Sequence, residues 1–100
     1  PAVPADGRAK RYAHGALRGA GLRVYDAREG SRNATLNREA FGLARFIAAG
    51  LLARDRVEDL LTDAARATGL LDDEIAATLR SALESGLREA TPFVMPEAQP

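Results

Sequence analysis

Apolar residues return every three or four positions through four stretches of the chain, and glycines, prolines or polar clusters separate the stretches. In the first, Tyr12, Ala13, Ala16, Leu17, Ala20, Val24 and Ala27 mark one face of a helix predicted over residues 8–28. Gly15, Gly19 and Gly21 oppose it, each costing about 0.8 to 1 kcal/mol relative to alanine, so this helix is held by packing or breaks near position 20. The second helix, 34–50, starts after Asn33, whose side chain suits an N-cap, and ends at Gly50. Its inner face is Leu36, Ala40, Leu43, Ala44 and Ile47, flanked by Phe41 and Phe46. The third, 55–68, opens with Asp55 and Glu58 spaced as a capping box and closes at Gly69-Leu70, a Schellman-like pair. Val57, Leu60, Leu61, Ala64 and Ala65 face inward. The fourth, 72–90, begins with acids that favour a helix N-terminus and buries Ile75, Leu79, Ala82, Leu83 and Leu87 before Thr91-Pro92 ends it. The expected fold is all-α: a small bundle of four helices over residues 8–91, with 1–7 a linker and 92–100 a flexible tail.

Composition agrees with helix. The 46% apolar content is largely alanine and leucine, and only five residues are aromatic. Without cysteine there is no disulfide scaffold or thiolate metal site, and the single histidine, His14, cannot build a histidine zinc site. The absence of an 18-residue apolar run and of a signal-peptide pattern reads as a cytoplasmic chain with no membrane partner. The proline-bearing ends suggest a piece of a longer protein.

Charge changes the picture more. The net charge is zero, but residues 1–50 carry nine Arg and Lys against four acids, and residues 51–100 carry five against ten. The first half is therefore the one suited to an anionic partner. Catalysis finds little support: His14 has no nucleophile in a recognisable motif, and Asp55, Asp59 and Asp63, a turn apart on one helix, are ordinary solvated acids offset by Arg54, Arg56 and Arg66.

The segment with chemical promise is Glu29-Gly30-Ser31-Arg32-Asn33. A turn leading into a helix N-terminus offers unpaired amides and the positive end of a dipole to an anion. Arg32 adds a planar fork suited to phosphate, Arg28 and Arg38 lie about a turn away, and Asn37 can donate to a phosphate, sugar or base edge. A purely structural reading has Gly30 making the bend, Asn33 capping the helix and Arg32 pairing with Glu29.

The same residues carry a resemblance. RYAHGAL at 11–17, EGSRNATLNREAFGLARFIAAGLL at 29–52, DAARATGL at 63–70 and EIAATLRSALESGLREATP at 74–92 resemble the helical segment that follows the catalytic core in bifunctional DNA primase-polymerases of actinobacteria, their phages and plasmids. It is similar to the primase C-terminal modules of related replication proteins. The chain departs from that pattern at Gly19 and Gly21, where a stronger helix former is usual, and at Ala82, where glycine is usual.

The resemblance implies an accessory bundle that engages single-stranded DNA template, and ATP or another nucleoside triphosphate, during primer initiation. Arg32, Asn33, Asn37 and Arg38 would form the site, with Lys10, Arg11, Arg18 and Arg28 as phosphate contacts. It also implies a primase-polymerase catalytic domain, and in many parents a helicase domain, in the same chain. The primase carboxylates and a P-loop are absent from these 100 residues, so the segment itself is expected neither to synthesise primers nor to hydrolyse ATP. The alternative implied role is a structural bundle docking the catalytic core to a helicase or partner subunit.

Overall fold

A computed structural model describes residues 7–96 and contains four helices: α1 (Arg8–Tyr25), α2 (Arg32–Ala48), α3 (Arg54–Ala67) and α4 (Asp72–Glu89). Of the expected linker, residues 1–6 lie outside the described residues, as do 97–100 of the expected tail. Gly7 belongs to the bundle, since its φ of 78° turns the chain into α1 and its carbonyl accepts the Arg11 amide at 2.8 Å.

α1 runs unbroken through Gly15, Gly19 and Gly21, and packing explains why. Ala9, Ala13, Leu17, Ala20, Gly21 and Val24 are buried. At Gly21 the helix lies so close to α3 that a Cβ there would sit 2.5 Å from the Leu60 Cδ2 methyl, so the glycine allows the approach that holds the helix together. The helix stops three residues short of the expected end. Ala27 turns its amide onto the Val24 carbonyl, and Gly30 adopts φ 94° in a turn closed by the Ser31 amide and hydroxyl, both donating to the Arg28 carbonyl at 3.0 Å.

α1 and α4 start where expected, at Arg8 and Asp72, whereas α2 and α3 start earlier for a common reason. No helix in the described chain carries a side-chain N-cap bond. α2 begins at Arg32 after Ser31, two residues before the predicted start, and Asn33 lies within its first turn rather than capping it. Asp55 and Glu58 form no capping box either: α3 begins at Arg54, and Glu58 instead accepts from Arg54 Nε at 3.1 Å, one turn away. The C-terminal signals perform as read. Gly50 takes φ 76°, and the Leu51 and Gly50 amides bond to Phe46 and Ile47 carbonyls in a full Schellman pattern. Gly69 takes φ 97° with its amide on the Arg66 carbonyl.

α1 and α2 are antiparallel, Tyr12 meeting Phe46 at one end and Arg23 meeting Glu39 nearer the other. α2 packs most extensively on α4, and that pair is parallel: Asn33 reaches Thr78 near both starts, while Phe41 and Ala44 meet Gly86 further along. The backbones of α1 and α4 do not approach one another closely, so the most basic helix and the acid-rich one occupy opposite sides of the bundle. Alanines Ala40, Ala44 and Ala82 fill the core beside Leu36, Leu43, Leu79 and Leu83, while Leu51 and Leu52 of the α2–α3 connection turn inward as well.

Two aromatic expectations need correction. Phe46 is core, but Phe41, expected beside it, is 40% exposed because α2 turns it toward the outer rim of the α2–α4 seam. The expected tail is partly docked: Phe93 and Met95 pack on the core, with the Phe93 ring 5.0 Å from that of Phe46 and 5.9 Å from that of Tyr12. Packing of Phe93 and Met95, rather than a helical pattern, anchors this segment to the bundle.

Candidate nucleic-acid interface

The expected site residues divide into two groups. Lys10, Arg11 and Arg18 are exposed on α1, and Arg28 is exposed in the turn beyond it; none of these four forms an ion pair among the described residues. All five charged residues of α1 are basic, with no acid in its 18 residues. Arg11, Arg18 and Tyr25 stand seven residues apart, which on a 3.6-residue helix keeps them on one stripe at steps of about 10 Å. Tyr25, 59% exposed, thus ends a row of arginines with an accessible ring.

The second group, at the start of α2, is more engaged with the protein. Asn33 donates to Thr78 Oγ1 at 2.6 Å and to Glu74 Oε2 at 3.0 Å, so its amide ties α2 to the acidic first turn of α4. Arg38 leans to Glu39 at 3.7 Å, sharing that carboxylate with Arg23 at 2.9 Å. The Arg23 guanidinium is held still more firmly protonated by the Glu39 hydrogen bond, opposed by burial and aided by the Glu39 charge. Asn37 is exposed. Arg32 does not pair with Glu29 among the described residues; its Nε is buried and has no acceptor. An unsatisfied buried donor is costly, and this one lies at a helix start whose first amides also lack a side-chain cap.

The Asn33 geometry converts an expected cap into a bridge between helices. Asn33→Ala is expected to cost about 1 to 3 kcal/mol for the loss of its two hydrogen bonds, and its effect should be strongly non-additive with that of Thr78→Val. Urea denaturation of the two single variants and the double variant measures the coupling; additive losses would contradict the bridge.

Across the bundle, Arg66 at the end of α3 grips Asp72 at the start of α4 through Nε–Oδ1 at 2.8 Å and Nη2–Oδ2 at 3.3 Å. Hydrogen bonding to Arg66, then its charge, holds the Asp72 carboxyl below the usual carboxylate range. A carboxyl lowered in the folded state stabilises above its unfolded pKa, and that contribution disappears as pH falls through the lowered folded value. The effect therefore belongs below about pH 4, and the solvent exposure of both side chains keeps it small. Carboxyl-detected NMR should show Asp72 titrating at its ordinary position in Arg66→Ala; an unmoved midpoint would exclude Arg66 as the cause.

Three residues outside the expected site stand beside it: Tyr25, Arg45 and Glu39. Arg45 lays its guanidinium 4.7 Å over the Phe46 ring and 5.8 Å from that of Phe93. Its spacing from Arg38 and Phe41, at positions 38, 41 and 45, was the available signal for a shared outer face of α2. Among the described residues, no group of three or more metal-ligating side chains converges, and no helix is long and apolar enough to cross a membrane. The chain matches no family model, no curated protein and no solved structure.

Proposed function

We propose that this bundle binds single-stranded DNA as an accessory module of a DNA primase-polymerase, with a nucleoside triphosphate as a second ligand drawn by the same cations. The observation that carries the reading is α1: five cations, no acid, and exposed Arg11 and Arg18 in line with an exposed tyrosine. Phosphates of a flexible strand can follow such a row while a base stacks on the ring at its end. The acid-rich α4 on the opposite side leaves the polyanion one favourable face. The replication setting is supported by the resemblance carried by residues 29–52 and the flanking segments.

The docking-bundle alternative has weaker support. The exposed large aliphatic side chains Leu22, Leu71 and Val94 belong to α1, the α3–α4 connection and the C-terminal segment, and so are spread over three elements.

Fluorescence anisotropy with a labelled single strand at low salt tests the proposal. Arg11→Ala/Arg18→Ala should weaken binding and reduce the slope of log affinity against log salt by about 1.4, given about 0.7 per phosphate contact on single strands. Equal affinity and slope for the wild-type chain and the double variant would refute it.

A further inference from the structure

We infer that the hollow between α1 and α2 receives a nucleobase bearing an exocyclic amino group, a reading that rests on the proposed binding of single strands. The starting point is Gly42. It lies in the middle of α2, is exposed, and a Cβ built on it would meet no atom within 4 Å. Glycine weakens a helix interior, and at Gly21 and Gly86 close neighbours explain it. At Gly42, as at Gly15 of α1, nothing within the described chain needs the room, but only Gly42 lies where two hollows meet. The residue bares the helix backbone at a place where something outside the chain can come close.

Two hollows meet at that place. One, of about 120 Å³, opens between α1 and α2 and is lined by Ala16, Arg23, Glu39, Leu43 and Phe46 together with Gly42 and Arg45. The other, of about 240 Å³, opens between α2 and the end of α4 beside Phe41. Gly42 and Arg45 line both, so the glycine forms a low saddle between them.

The lining of the first hollow suits a flat ring with a polar edge. Leu43 and Phe46 are apolar and buried at its base. Glu39, its side chain only 12% exposed, is fixed by Arg23 through one contact of 2.9 Å to each carboxylate oxygen. A carboxylate held in this way still has lone pairs free for a donor, and the amino group of cytosine is the kind of donor that acidic side chains accept. Thymine presents a carbonyl oxygen at the same position, which the carboxylate repels. Arg45, held over the Phe46 ring, adds a planar cation on which a base can stack.

The experiment compares oligodeoxycytidine and oligothymidine strands of equal length, which carry equal charge, on the wild-type chain and on Gly42→Leu. The wild-type chain should bind the cytosine strand roughly tenfold more tightly. Gly42→Leu, which fills the saddle, should bring the two affinities together. Equal wild-type affinities for the two strands would overturn this inference and leave single-strand binding by α1 standing. A cytosine preference that survives Gly42→Leu would place the base elsewhere and equally overturn it, whereas failure of both strands to bind would remove the proposed function and this inference together.

Discussion

Phe46→Ala is expected to cost about 3 to 5 kcal/mol, a large share of the total stability of a domain of this size. Phe46 is the largest fully buried side chain, and its ring joins three elements: Tyr12 of α1 at 6.0 Å, its own helix, and Phe93 of the C-terminal segment at 5.0 Å. Arg45 covers it from outside. The Phe46 carbonyl also accepts the amides of Leu51 and Leu52, so the backbone at this point is fixed by the α2–α3 connection and cannot sink into the space a lost ring would leave. A domain of this size has a total stability of only about 5 to 13 kcal/mol. Thermal and urea unfolding followed by circular dichroism measure the effect, and a loss below about 1 kcal/mol would contradict the packing described.

Gly86→Ala is expected to destabilise although alanine is the better helix former. A Cβ at position 86 would stand 2.6 Å from the Ala44 Cβ and 2.8 Å from the Phe41 carbonyl oxygen. Neither is the tip of a flexible side chain, so α2 and α4 must separate along the most extensive helix contact in the bundle. Overpacking of this kind costs about 1 to 3 kcal/mol, against a gain of about 1 kcal/mol from helix propensity. At Gly42 the propensity gain is unopposed, so Gly42→Ala should stabilise by about 1 kcal/mol. Gly21→Ala should fall between them, since the atom it meets is a Leu60 methyl that can swing aside. The order of stabilities, Gly42→Ala above Gly21→Ala above Gly86→Ala, is the measurable result. Equal shifts at all three positions would mean that helix propensity alone governs these glycines.

These residues also show what could be read from the chain and what could not. The four helices were legible because Leu17, Leu36, Leu61, Leu83 and their neighbours repeat at helical spacing, a pattern set by local geometry alone. Helix starts were less legible. Asn33 and Asp55 have the chemistry of caps, but which group a short polar side chain bonds depends on tertiary neighbours, and Thr78 and Glu74 lie more than forty residues away from Asn33. Gly86 was invisible as a packing residue because the close approach it permits exists only when α2 lies beside α4. Phe93 escaped for a related reason: one aromatic anchor in a segment without periodicity leaves no pattern to detect.

Of the candidate interface, the cations of α1 were legible in full, whereas their alignment with Tyr25 depends on α1 continuing through Gly19 and Gly21. That continuity comes from the packing of the whole buried face, Ala13, Leu17, Ala20, Gly21 and Val24. The turn at residues 29–33 looked like the centre of the site. In the folded chain Gly30 makes the bend, Asn33 is committed to α4, and Arg32 keeps a buried donor without an acceptor. The proposed interface therefore rests on the outer face of α1 rather than on that turn.

The most direct test is an NMR titration of the labelled chain with a short single-stranded oligonucleotide at low salt, following backbone amides. The account predicts shifts concentrated along α1, greatest around Arg11, Arg18 and Tyr25 and extending to Arg28, with α4 largely unmoved. Shifts concentrated on α3 and α4, or none at all, would contradict it.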